Sequence, residues 1–209
     1  MLEKEATDQS TLELLTQLQG KDYLEGFYLA GGTGLALIFG YRKSADIDLF
    51  SNFNFDSESI LESLSADFPF RLYFTAINTI KGSIAEVKVD ILAHRYTLIR
   101  DPRTIDGIRI LSVEDIASMK LNAISVSGQR VKDFIDIYYL LDQYSVEEML
   151  GFYKEKYTRY NEVNVLKSLI WFDDIDLADW PILLKDPDLK WDKIKKRLLE
   201  ATKRYLKQI

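Results

Sequence analysis

Apolar positions along this chain change their period once. Up to about residue 111 they fall in short runs and in period-2 stretches, whereas beyond Ser112 they recur at helical spacing to the end. The first part predicts an opening helix from Thr11 to Gln19 capped by Ser10 or Thr11, then a short buried strand from Phe27 to Ala30. A helix from Gly34 to Phe39 and a strand from Asp46 to Ser51 follow. A further helix runs from Asp56 to Leu64, and alternating strands cover Phe70 to Asn78 and Ile84 to Leu92, with Lys81-Gly82-Ser83 read as their hairpin turn. Gly107 to Leu111 reads as a last strand. Helices from Val113 to Ile124 and from Val131 to Tyr144 open the second part, and three or so more follow. The simplest architecture is an α+β lobe with a mixed sheet over residues 1–111, carrying an α-helical lobe over 112–209.

Chemistry concentrates where the first strand meets the second helix. Gly31 and Gly32 can bring backbone amides close to an anion, the helix behind them presents unpaired N–H donors, and Thr33 adds a hydroxyl. Asp46 and Asp48 are two apart in a strand, so both carboxylates project from one face and can grip a hard cation. A D-x-D pair is weak by itself. Two others, Asp174/Asp176 and Asp186/Asp188, follow no glycine turn and read as solvated loop acids or helix starts. The stretch Ala85 to Leu92 strengthens the first pair, because its alternation puts Val87, Val89 and Ile91 on one face and Lys88, Asp90 and Leu92 on the other. A charge in such a strand needs a partner, and a metal shared with Asp46 and Asp48 would be one.

Three carboxylates on neighbouring strands with a glycine turn at the phosphate end resemble the polymerase β-type nucleotidyltransferases, and within them the AbiEii/AbiGii group, toxins of type IV toxin–antitoxin systems. The resemblance rests on Gly31-Gly32-Thr33, Gly40-Tyr41-Arg42-Lys43-Ser44, Asp46-Ile47-Asp48-Leu49-Phe50 and Lys88-Val89-Asp90. Met119-Lys120-Leu121-Asn122-Ala123 and Lys132-Asp133-Phe134-Ile135-Asp136 extend it, so that it spans about residues 28–142. Gly34 stands where a larger small residue is usual, and Ser127-Gly128-Gln129-Arg130 lacks the basic residue often seen before the glycine. Neither departure touches the carboxylates.

The resemblance implies metal-dependent transfer of an NMP from an NTP to an acceptor hydroxyl. Asp46 and Asp48 would bind Mg²⁺ (or Mn²⁺) on the triphosphate and Asp90 a second ion. Arg42 and Lys43, otherwise an ordinary basic loop, would counter the charge of the β- and γ-phosphates, and Ser44 would cap or contact phosphate. Lys88 belongs to the same nucleotide-binding set. In the helical lobe, a lysine beside the apolar stripe of Ile116, Met119 and Ala123 ordinarily snorkels outward, but the resemblance turns Lys120 into a cleft, toward triphosphate or a carboxylate. Asp133 and Asp136, one turn apart and otherwise a solvated face, become candidates to take the acceptor's proton, and Lys132 to contact phosphate. The implied acceptor is RNA, with the 3′ end of tRNA as the expected site, and the implied control is a separately encoded antitoxin. Two rivals stand beside this reading: a protein nucleotidylyltransferase placing AMP on a partner, and a nucleotide- or partner-binding module without turnover.

Bulk properties narrow the alternatives. With no cysteine and one histidine, His94, there are no disulfides, no thiol catalysis and no histidine-based metal cluster, and a reducing cytoplasm fits. His94 reads as a strand-end residue near the surface. The start Met1-Leu-Glu-Lys-Glu-Ala-Thr-Asp is polar and acidic, so no signal peptide is expected, and the apolar run from Phe27 to Tyr41 is too short and glycine-rich to span a bilayer. A net charge of −6 opposes a broad nucleic-acid-coating surface. From Lys190 to Ile209, however, eight Lys and Arg face only Asp192 and Glu200, on a terminal helix with Trp191, Ile194, Leu198, Leu199 and Tyr205 inward. That basic face reads either as solvated surface or as an RNA-backbone contact.

Overall fold

Seven strands form one mixed sheet in the order β3-β4-β5-β2-β1-β7-β6. They are β1 (Tyr28–Leu29), β2 (Ile47–Ser51), β3 (Phe70–Ala76), β4 (Thr79–Ile84), β5 (Val87–Ala93), β6 (Arg103–Ile105) and β7 (Ile108–Ile110). The computed structural model describes residues 1–158 and 161–208, and the chain divides into two compact units, Met1–Ser112 and Val113–Ile209. The sheet belongs to the first, together with α1 (Gln9–Gln19), α2 (Gly31–Phe39) and α3 (Ser57–Asp67). β2 pairs in parallel with β5 and β1 in parallel with β7, while the remaining neighbours run antiparallel. Leu29, Ile47, Leu49, Val89 and Ile91 are fully buried on the central strands, and Leu15, Leu18, Leu35 and Leu37 of α1 and α2 are buried in the same unit.

Several boundaries differ from the sequence expectation. α1 starts at Gln9 behind Asp8, not behind Ser10 or Thr11, and Asp8 makes no side-chain cap bond. α2 begins at Gly31, so the glycines are its first turn and not a loop ahead of it. Asp56 does cap α3, its carboxylate accepting from the amides of Glu58 and Ser59.

The largest correction concerns Lys81-Gly82-Ser83, which lies in the middle of β4 and makes no turn. The turns fall at Asn78, with φ of 59°, and at Ala85-Glu86, with φ of 45° and 69°. A two-residue hairpin with positive φ at both central residues normally uses Asn or Gly. Ala85 and Glu86 carry no such signal, which is why the sequence hid this turn. Gly82 serves close packing instead, since a Cβ there would overlap the carbonyl of Arg71 and the ring of Phe70 on β3. By contrast, Asp106-Gly107 is a legible hairpin turn, joining β6 to β7 where one strand was expected.

The second unit is helical: α4 (Val113–Val126), α5 (Val131–Leu140), α6 (Val146–Lys156), α7 (Glu162–Leu169) and α8 (Trp191–Leu206). α4 packs on α5, α6 and α7 through Ile116, Ala117, Leu121 and Ile124. Ser145 and Glu148 form a reciprocal capping box that starts α6. Phe134, Phe172 and Trp191 meet edge to face, with centroids 5.6–6.0 Å apart. Inside the unit, Lys156 Nζ lies 2.6 Å from Asp115 Oδ1, both essentially without solvent exposure. Among the described residues no helix is long and apolar enough to cross a membrane.

Candidate active site

The parallel register of β2 and β5 sets Asp48 directly beside Asp90. Asp46 lies one residue ahead of β2, and Asp46 and Asp48 are both half-buried. Asp90 is 5% exposed, far drier than a surface acid. Its Oδ2 lies 3.2 Å from Lys88 Nζ and 3.8 Å from Lys81 Nζ, while its Oδ1 is buried with no hydrogen-bond partner. Burial disfavours the Lys88 ammonium, but Asp90, Asp48 and Asp46 together more than offset it and hold Lys88 above the ordinary lysine range. One ammonium therefore feels all three carboxylates. Lys81 is the residue that sequence reasoning missed, because it was read as part of a turn; strand pairing places it opposite Asp90.

The glycine turn meets the same acids. Gly31 has φ of +64°, and a Cβ on it would overlap Asp48 Oδ2, so only glycine lets the carboxylate lie against the start of α2. Ala30, the N-cap, has no side chain able to cap α2, and the Asp48 carboxylate lies against that helix start. Gly32 sits in that first turn, half-buried. Thr33 does not face outward. It is 1% exposed, donates to the carbonyl of Asp46 at 2.5 Å and shares a 2.8 Å hydrogen bond with Ser44, so both hydroxyls clamp α2 to the entry of β2.

The basic residues ahead of β2 are placed differently from the expectation. Arg42 is 2% exposed, donates from Nη1 to the Lys43 carbonyl and packs over the Tyr41 ring at 5.8 Å, so the guanidinium is interior. Lys43 stays partly exposed, 3.8 Å from Asp8.

A divalent cation is implied by such acids, and the residues fit one in kind. They are hard oxygen donors, one has a buried orphan oxygen, and Asp48 is held in a space that any Cβ would fill. In this conformation, among the described residues, no three acids are gathered tightly enough to enclose an ion. Lys88 and Lys81 hold Asp90 Oδ2 instead.

The helical unit holds its own charge cluster. Lys120 is buried and its Nζ lies 2.6 Å from Asp133 Oδ1 and 2.7 Å from Asp136 Oδ2. Neither the snorkelling lysine nor the solvated acidic face survives, since Asp133 and Asp136 are 4% and 0% exposed. α5 is buried all round, so its acids need a cation and α4 supplies one. Lys132, expected on phosphate, pairs with Asp179 at 2.6 Å. Asp174 accepts from the Trp171 indole, Asp176 from the Ala178 amide, and Asp186 pairs with Lys193, in keeping with loop acids.

Residues 13–208 match the family described as nucleotidyl transferase AbiEii toxin of type IV toxin–antitoxin systems. The uncharacterized protein aq_aa25 of Aquifex aeolicus is 29% identical over 200 residues, covering 93% of this chain and 95% of its own length. JHP933 from Helicobacter pylori shares the fold with a TM-score of 0.56 at 18% identity, over 97% of this chain and 94% of its own. MenT4, a nucleotidyltransferase toxin from Mycobacterium tuberculosis, does so with a TM-score of 0.56 at 15% identity, over 92% and 82%.

Proposed function

The chain belongs to the AbiEii nucleotidyltransferase toxins of type IV toxin–antitoxin systems, and on that premise we propose that Asp46, Asp48 and Asp90 form the centre at which an NMP passes from an NTP to an RNA hydroxyl. The observation that carries this reading is the pairing of Asp90, with its buried partnerless Oδ1, beside Asp48 packed against the glycine start of α2. Mg²⁺ or Mn²⁺ bound by these acids would neutralise triphosphate charge and stabilise the entering and departing oxygens. Gly31 and Gly32 lend amide donors and the positive end of α2 to the phosphates. Lys88 and Lys81 compensate the acids when no triphosphate is bound and are free to turn to phosphate when it is. Lys43, partly exposed next to the clamp, is the remaining phosphate candidate, whereas Arg42 acts by shaping that loop from inside. The acceptor oxygen attacks the α-phosphorus, the bond to the β-phosphate oxygen breaks, and pyrophosphate leaves. The acceptor hydroxyl loses its proton to water as the new bond forms. Family membership further implies control by a cognate antitoxin, and tRNA is the acceptor to test first.

The deciding experiment incubates pure protein with each labelled NTP, Mg²⁺, total RNA and lysate. Label on an RNA band is expected, lost in Asp48→Asn and Asp46→Asn with the melting temperature nearly unchanged. Wild-type activity in both variants would remove the acids from the mechanism, and label on a protein band alone would replace the RNA acceptor.

A further inference from the structure

The face that carries the carboxylates continues into a row of aromatic rings. Asp48 and Phe50 are alternate residues of β2, and Asp90 and Leu92 are their register partners on β5. The His94 amide donates to the Ser51 carbonyl at 2.7 Å, so the extended pairing runs past the end of β5. At about 3.3 Å per residue, His94 lies roughly 13 Å along the strand from Asp90. There the His94 ring stands 5.9 Å from Phe50, edge to face, and 4.7 Å from Tyr96. Phe50 and His94 are half-buried and so held in place, while Tyr96 is 43% exposed and offers ring surface outward.

Charge distinguishes what such a row would take. Arg95, between the two outer rings in sequence, is exposed and makes no ion pair among the described residues. From His94 to Arg103 there are three arginines (Arg95, Arg100, Arg103) against Asp101, a local excess of cation in a chain of net charge −6. Exposed ring surface in a segment with an excess of arginine suits a strand that alternates flat bases with phosphates. Paired bases hide those faces, so the strand must be single.

We infer that Phe50, His94 and Tyr96 form a stacking platform for unpaired bases of a single-stranded acceptor RNA, with Arg95 on its phosphates, leading its terminal hydroxyl to the carboxylates. This rests on the nucleotidyl-transfer reading above, and deepens it by assigning the acceptor's path.

The test measures binding of a labelled, unstructured 12-nucleotide RNA to the full chain by fluorescence anisotropy, without NTP. Tyr96→Ala is expected to weaken binding about tenfold and Tyr96→Phe to stay within about twofold of wild type. Arg95→Gln should lower the slope of log affinity against log salt by about one. A blunt duplex of the same sequence should be indifferent to Tyr96→Ala. Wild-type affinity in Tyr96→Ala, equal loss on duplex, or no RNA binding by the wild-type chain overturns the platform. If Tyr96→Ala instead abolishes the rise in melting temperature caused by NTP with Mg²⁺, the rings hold the incoming nucleotide and the acceptor assignment falls. Asp48→Asn separates the two ideas: it should abolish transfer yet keep RNA affinity, so retained transfer there sinks the reading of the centre alone.

Discussion

Gly31 decides how close a carboxylate can come to a helix start. Its φ of +64° belongs to the left-handed region, where a non-glycine residue costs about 1–3 kcal/mol, and its missing side chain leaves the space that Asp48 Oδ2 fills. Gly31→Ala should therefore lower stability by that order in urea titration and also abolish transfer, because Asp48 must move. Full activity with unchanged stability would mean that the turn merely connects. Asp90 makes a complementary case. Its type and strand position were readable, but the pairing with Lys81 follows only from a hairpin whose turn is Ala85-Glu86. Thr33, Ser44 and Arg42 are legible as residue types, but the interior contacts that hold them are not. Two hydroxyls and a guanidinium close to a glycine turn look alike in sequence whether they face a ligand or clamp the chain.

At the scale of elements, buried ion pairs organise the helical unit. Lys156 on α6 and Asp115 on α4 sit 2.6 Å apart and almost without exposure, so removing either partner takes a close counter-charge from a buried ion. Asp115→Ala or Lys156→Met alone should cost about 3–5 kcal/mol in equilibrium unfolding. The double variant should lose clearly less than the sum, and simple additivity would show that the two charges do not support one another. α8 shows the opposite regime. Lys193, Lys195, Lys196 and Arg197 pair with Asp186, Asp192, Glu200 and Asp142, so much of the basic face read from sequence is already neutralised; Ile209 lies outside the described residues. Tyr205 at its end donates to Glu162, and that bond with burial pushes its phenol up to about 12. A raised value means the folded state holds the proton more tightly. Its stabilisation is thus complete below the ordinary phenol value near 10 and is lost as pH climbs toward 12. Tyr205→Phe should flatten the fall in melting temperature across that window; an unchanged alkaline profile would remove Tyr205 as its source.

Across the whole chain, charge sets how ligands must arrive. With a net charge of −6, and if Asp46, Asp48 and Asp90 form the proposed centre, a triphosphate without metal would be repelled, and a cation without triphosphate would compete with Lys88 and Lys81 for Asp90. Mg²⁺ and NTP together should therefore raise the melting temperature more than the sum of their separate effects. Asp90→Ala should erase that synergy. Persistence of the synergy in this variant would reduce Asp90 to a buried structural acid.

The period change near Ser112, the D-x-D strand, the glycine pair and the isolated Lys88-Val89-Asp90 strand lie in the sequence itself, because strand alternation and helical spacing impose local patterns that survive without any partner. Which strand neighbours which does not. The placement of β5 beside β2, the service of Gly82 to packing, the interior course of Arg42 and the capture of Asp133 and Asp136 by Lys120 all depend on residues distant in sequence meeting in space. A charged side chain carries no mark of whether its partner will be water or a buried counter-charge; only the tertiary structure, by removing the water, decides.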